Sequence, residues 1–333
     1  MDYYEAVSSQ AANLENSART VANGLAGIDM QPWRDGLLAV ASMGASSHAG
    51  TVLVNRLVRH GHRAVNLDAS ELEFLGPVAN IADSYVFISE GGRSRETIAA
   101  AQLVSPGHRL AVTNDASAPL AEVVDAVLGL GHGEDSKVYT VGYTATLQAF
   151  GLLATAIDGV DDGDDWSALP DSVSTTLASL SDRAKSVATY FSQLTSFDFV
   201  GFGASYAAAA EGALLFREST RICTATYGTY QYLHGPMEPL TPHQGCVIFG
   251  DQREVSLAQY LADKNIPTVL VTSLDVPETA TLSVMRIPPA PPISRAILEI
   301  LPAQLVAGEL ARLRGLGIDG FRYHQDDTKI DKV

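Results

Sequence analysis

One short pattern occurs twice in this chain, in the same order each time, and that repetition limits the folds open to it. Gly44-Ala45-Ser46 follows the apolar run Leu37–Ala41, and Gly203-Ala204-Ser205 follows the run Phe199–Phe202. A helical pattern and a short strand come next in each case, Arg63–Asn66 in the first half and Ile222–Thr226 in the second. EFLGPV (Glu73–Val78) then matches YLHGPM (Tyr232–Met237), and YVFIS (Tyr85–Ser89) matches CVIFG (Cys246–Gly250). Matches kept in one order read as an internal duplication. Strands alternating with helices imply parallel sheets covered on both faces, so the expected fold class is α/β.

Four segments follow from this reading. Residues 1–33 form an N-terminal helical segment, with apolar positions at helical spacing over about 3–27 and Gly24, Gly27 and Pro32 closing it. The first half spans 34–157. A linker covers 158–195, with the acidic run Asp158–Asp165 and then a helical bridge from Ser172 to about Thr195. The second half, 196–333, ends in two helices between Ser294 and Leu316, broken near Pro302, and a polar tail whose bland reading is a solvated terminus. Ser105–Arg109 reads as a simple turn.

The richest chemistry lies in YVFISEGGRSRET, Tyr85 to Thr97. A buried strand stops at Ser89, passes through Gly91 and Gly92, and opens a helix at Ser94. Glycines let backbone N–H groups approach a ligand, Ser89 and Ser94 add donors, and the helix N-terminus adds its dipole, which together make an anion cradle. The bland alternative is an ordinary strand–turn–helix corner with Ser94 as N-cap.

Composition narrows the partners. The chain has 333 residues, 46% apolar and 18% charged, enough for more than one core. Its net charge of −16 argues against nucleic acid and anionic membranes, yet leaves room for an anionic metabolite held by local donors. Cys223 and Cys246 show no metal-ligand spacing and are expected to be reduced core residues. No metal site is expected. The polar start MDYYEAVSSQ is no signal peptide, and no apolar run reaches membrane-spanning length, so a cytoplasmic protein is expected.

The two halves differ chemically. The second half's counterpart of the cradle is GDQREVS, without the double glycine and with Asp251 and Glu254, where a phosphate would be repelled. That half offers instead EGALLFREST (Glu211–Thr220), with Glu211 and Glu218 on one helix face, and YLHGPME, with His234 before a Gly-Pro turn. A carboxylate and an imidazole are suitable proton carriers. The plainer possibility is that Glu218 pairs with Arg217 or Arg221 and that His234 packs in a corner.

With these motifs in view, the chain resembles the tandem sugar isomerase (SIS) domain family, above all the isomerase half of glucosamine-6-phosphate synthase and the related sugar-phosphate deaminases and fructosamine deglycases. SEGGRSRET resembles the family's phosphate loop and SMGASS its first turn. TVGYTATL (Thr140–Leu147) resembles its threonine-rich segment, EGALLFREST its EGALKLKEIS helix and LHGP its KHGP loop. LPAQLVAGELA (Leu301–Ala311) resembles the helix before its C-terminal lysine tail. The resemblance implies two flavodoxin-like halves and a homodimer with composite active sites. Gly44, Ser46, Ser89, Glu90, Gly91, Gly92, Ser94 and Thr140 would hold a sugar phosphate. Glu218 would carry a proton between C1 and C2 through an enediol or enamine. His234, donated by the neighbouring subunit, would open the sugar ring, and Lys329, with Lys332 as rival, would close over the substrate.

The chain departs from the family pattern at Gly91, which replaces a hydroxyl residue, at Leu215, which replaces a helix lysine, and in the wider spacing from Arg322 to Lys329. With no glutaminase domain and Asp2 at position 2, glutamine-dependent amidotransfer by this chain is not expected. A nicotinamide dehydrogenase built on GFGASY lacks both the third glycine and an acidic residue after RICTATY. The expected function is aldose–ketose isomerisation, deamination or deglycation of a (amino)hexose phosphate without a cofactor. The alternative is a non-catalytic sugar-phosphate sensor on the same fold.

Overall fold

The computed structural model describes residues 1–76, 80–318, 320–323, 325 and 327–330. It divides into two compact units, each built on one parallel five-stranded sheet. Helix α1 (Tyr3–Ala26) crosses the division: residues to Ala11 group with the second-sheet unit, those from Ala12 with the first. The division differs from the sequence boundaries in a second place. The described tail residues from Arg322 to Ile330 group with the first sheet, not with the second half. No helix among the described residues is long and apolar enough to cross a membrane.

The first-sheet unit contains β1 (Leu37–Ser42), β2 (Arg63–Asp68), β3 (Ser84–Ile88), β4 (Arg109–Thr113) and β5 (Ala126–Gly129), in the order β2-β1-β3-β4-β5. β3 is buried along its whole length, as a central parallel strand covered on both faces must be, whereas β2 is only half-buried at the edge. Helices α2 (Ala45–Arg59), α3 (Ala69–Leu75), α4 (Arg95–Leu103) and α5 (Val141–Asp158) complete the unit. The motif EFLGPV runs past α3 to Pro77 and Val78, which lie outside the described residues. The acidic run is no free linker. Asp158 takes a hydrogen bond at 2.5 Å from Arg56 of α2, and Asp162 pairs with both Arg56 and His60, so the segment is tied back onto α2.

The second-sheet unit contains β6 (Ser196–Gly201), β7 (Cys223–Gly228), β8 (Gln244–Phe249), β9 (Thr268–Thr272) and β10 (Leu282–Arg286). Their order, β7-β6-β8-β9-β10, repeats that of the first sheet. Around them lie α6 (Leu169–Phe191), α7 (Ser205–Thr220), α8 (Thr229–Tyr232), α9 (Arg253–Asp263) and α10 (Pro292–Leu313). Two expectations need correction here. Pro302 does not break the C-terminal helix: α10 is one element with Pro302 inside it. A proline in a helix interior costs about 3 kcal/mol, but α10 is buried from Ile293 to Ala311 on most of its surface and packs on α6 and α7, which outweighs that loss. Cys246 is in the core, but Cys223 is exposed, because it starts the edge strand β7.

Candidate functional site

In a parallel sheet of this order the strand direction of travel reverses between β1 and β3, and ligands bind at the carboxyl ends of the strands at such a switch point. Ser42 of β1 pairs with Ile88 of β3, so the turns that follow, Gly44-Ala45-Ser46 and Ser89–Ser94, leave the sheet side by side. These are the two turns singled out in the sequence.

The second turn is tightly determined. Gly92 has φ +64°, and a Cβ built on it would lie 2.4 Å from Ala118 Cβ, so only glycine fits. The Ser89 Oγ accepts hydrogen bonds from the Arg93 and Ser94 backbone N–H groups, each at 3.2 Å, which leaves its own proton for a ligand. Ser94 stands at the N-cap position of α4 without capping its backbone: its hydroxyl donates to Glu96 at 3.3 Å and accepts from Thr97 at 3.0 Å. The neighbouring turn contributes Ser46, half-buried, and Ser47, whose hydroxyl donates to Asp68 at 3.2 Å.

The tail reaches this corner. Arg95 N–H donates to the Thr328 carbonyl at 3.2 Å, Ile330 N–H donates to the Arg93 carbonyl at 2.9 Å, and Ser94 forms an antiparallel bridge with Lys329. Ile330 anchors this strand by packing on the apolar cluster that includes Phe87 and Ile98. Gly44, Ser46, Ser89, Glu90, Gly91, Gly92, Ser94 and Lys329 therefore come together in one unit. The rival Lys332 lies outside the described residues.

The remaining candidates belong to the second-sheet unit. Glu218 is half-buried in the last turns of α7, on the same helix face as the buried Glu211. The two arginines weighed as its partners bind carbonyls, Arg217 that of Thr224 at 2.9 Å and Arg221 that of Gly320. His234 is exposed in the turn after α8, its N–H donating to the Gln231 carbonyl at 3.0 Å. Thr140 is buried, and both its N–H and its hydroxyl donate to Asp135, the hydroxyl at 2.9 Å. Sequence reasoning missed His132, whose ring Nε2 lies 3.1 Å from a Glu90 carboxylate oxygen; no local motif marks it.

The corresponding switch point of the second sheet, between β6 and β8, is filled by the protein's own acids. Asp251 accepts hydrogen bonds from Thr272 and Ser273, the latter's N–H at 2.9 Å, and pairs with Arg295. Ser205 donates to the buried Glu299 at 2.9 Å, and Arg295 Nε donates to the same oxygen at 2.7 Å. Burial pushes the Asp251 carboxyl up, but Arg295 and the two hydroxyls outweigh it and hold it well below the usual range. At Glu299 burial dominates and raises the carboxyl to about 7 despite Arg295 and Ser205.

A carboxyl raised on folding binds more protons in the folded than in the unfolded chain, so stability falls as pH rises from the unfolded value, about 4.3, to about 7. That decline is worth about 4 kcal/mol at 1.4 kcal/mol per pH unit. Glu299→Gln should flatten it, which urea unfolding at intervals between those pH values will read. An unchanged slope in the variant would assign the decline to another group.

Residues 190–314 match the SIS domain. The match covers all five strands of the second sheet. The glutamine–fructose-6-phosphate aminotransferase (isomerizing) of Leifsonia xyli is 25% identical over 85% of this chain and 50% of its own length. The chain thus spans about half the length of the curated relatives it matches. Among solved structures, the C-terminal domain of glucosamine-fructose-6-phosphate aminotransferase from Francisella tularensis superposes with a TM-score of 0.82, at 18% identity, over 96% of this chain and 98% of that domain. The glucosamine-6-phosphate deaminase of Thermotoga maritima gives 0.77 at 18% identity, over 97% and 98%. These likenesses fix the fold: two parallel five-stranded sheets with flanking helices.

Proposed function

We propose that this chain is a phosphosugar isomerase-type enzyme that acts on a hexose or aminohexose phosphate, and that its two halves arose by duplication. The observation that carries the reading is the pairing of Thr328–Ile330 with Arg93–Arg95, which sets a lysine against a hydroxyl- and glycine-rich corner at a switch point. The relatives' names and the SIS domain support the same class of substrate.

In this reading the turns at Gly44 and Ser46 and at Ser89–Ser94 hold the phosphate. Glu218 removes a proton from the carbon next to the carbonyl, giving an enediol, and returns it to the neighbouring carbon. The substrate carbonyl makes that C–H acidic, so no cofactor is needed, and Lys329 stabilises the developing oxyanion. With an amine at C2 the same proton shift gives an imine, which water hydrolyses to release the amine. His234 is exposed, as a ring-opening residue donated to a neighbouring subunit must be, and a cytoplasmic homodimer with composite sites is the corresponding assembly.

Proton NMR in D₂O with fructose 6-phosphate, glucosamine 6-phosphate and galactosamine 6-phosphate tests this. Deuterium should enter at C1 or C2 of at least one sugar. Line broadening without exchange would favour the sugar-phosphate sensor. Ser94→Ala should raise KM about tenfold with kcat nearly unchanged, since it removes one hydroxyl contact to a charged group that is present throughout the reaction.

A further inference from the structure

The anion cradle contains a carboxylate, Glu90, which an approaching phosphate would meet as a like charge. Its side chain turns toward His132, in the segment that follows β5. In the order β2-β1-β3-β4-β5, that direction leads away from the crevice between β1 and β3. The histidine is held firmly. Asn114, after β4, donates from Nδ2 to the His132 carbonyl at 3.0 Å and accepts the His132 N–H at 3.2 Å. Asn114 N–H and the Thr113 hydroxyl in turn donate to the Glu90 carbonyl, at 2.7 and 3.0 Å. Three strand ends are thereby locked to one another.

The chemistry of the ring follows from what faces it. Nδ1 lies 2.8 Å from the Gly133 carbonyl, which can only accept, so Nδ1 carries a proton. Nε2 lies 3.1 Å from a Glu90 oxygen, a close charge contact with the ring side chain 1% exposed. The buried ring edge therefore stands at charge-contact distance from the carboxylate and marks the side to which the Glu90 side chain turns. The other charged groups at this corner are Arg93 and Asp115, paired at 4.0 Å, with Glu96 and Arg95 on α4 and Lys329 on the tail.

We propose that His132 is a positioning residue that holds the Glu90 carboxylate out of the anion cradle, through their close contact. It rests on the reading of Ser89–Ser94 as an anion site. Loss of the ring removes the contact that directs the carboxylate away from the β1–β3 crevice and lets its charge turn toward the cradle. Anion affinity then falls.

Sulfate is the probe, because it is a dianion at neutral pH while a phosphate monoester is of mixed charge there. Calorimetric titration of the full chain at one neutral pH should show His132→Ala binding sulfate about tenfold or more weakly than the wild type, the size expected for one charge brought several ångströms from a dianion at a partly exposed site. His132→Ala combined with Glu90→Gln should recover the affinity, which a merely structural loss at His132 would not. Equal affinity in His132→Ala and wild type, or a loss that persists in the double variant, overturns the role of His132 while leaving the cradle in place. Failure of sulfate to bind any of the proteins removes the cradle reading and this proposal together.

Discussion

Glu218→Gln is expected to lower kcat for the sugar phosphate by about 10³-fold or more while changing KM less than about twofold. An amide of the same shape cannot take a proton from carbon, and removing a general base costs about 10²–10⁴-fold. The proton must also be returned to the adjacent carbon by the same group, which places the effect at the upper end. Glu218 is half-buried near the end of α7, whereas the hydroxyls and glycines assigned to the phosphate lie with the first sheet, so ground-state binding has no reason to change. Ser94→Ala is the converse case, a KM effect with little change in kcat. Steady-state kinetics on the sugar that exchanges deuterium separates them. Normal turnover in Glu218→Gln would remove this residue from the reaction and direct attention to the buried Glu211, seven residues earlier on the same helix.

The repeated order of elements was legible because it is written in short-range signals. Gly44-Ala45-Ser46 and Gly203-Ala204-Ser205 both sit where a first strand hands over to a helix, and YVFIS and CVIFG both became the third strand of a sheet of identical order. The strands RLAVT and TVLVT carry no such mark. Each is five residues long, and a short apolar run does not distinguish a strand from a piece of buried helix. Pro302 misled for a related reason: local propensity argues for a break, while the apolar surface that α10 buries on two neighbours is a tertiary fact. In the candidate site, Ser89, Gly92 and Ser94 were readable as a strand–helix corner. The partner of Glu90 was not, since His132 comes to it only through the pairing of β5 with β4. Likewise, Asp251 could be read as hostile to phosphate, but not that Arg295, on a distant helix, would occupy it.

Arg295 offers the second large effect. It is the cation that lies between Asp251 and Glu299, and its side chain is 18% exposed. Breaking a buried ion pair by removing one partner costs about 3–5 kcal/mol, because the charges left behind have lost both water and counter-ion. Arg295→Met should therefore lose about that much at pH 7.5, where both carboxyls are ionised in the wild type. The direction with pH follows from the two shifts. Arg295 lowers both carboxyls in the wild type, so without it both take up protons at higher pH, and acidification relieves the unpaired charges of the folded variant before it discharges the wild-type pairs. The deficit should shrink steadily from pH 7.5 toward pH 4. Urea unfolding at both ends reads it, and a deficit below about 1 kcal/mol at pH 7.5 would mean that the network contributes little beyond packing. Replacing Glu299 by leucine as well should recover part of the loss, since an apolar side chain needs no counter-ion there. Neither variant should create a sulfate site at this second switch point, because removing the cation leaves Asp251 and Glu254 where an anion would have to sit. The asymmetry between the halves is thus built into charge: one switch point keeps its hydroxyls and glycines open beside a lysine, and the other is closed by carboxylates locked onto an arginine.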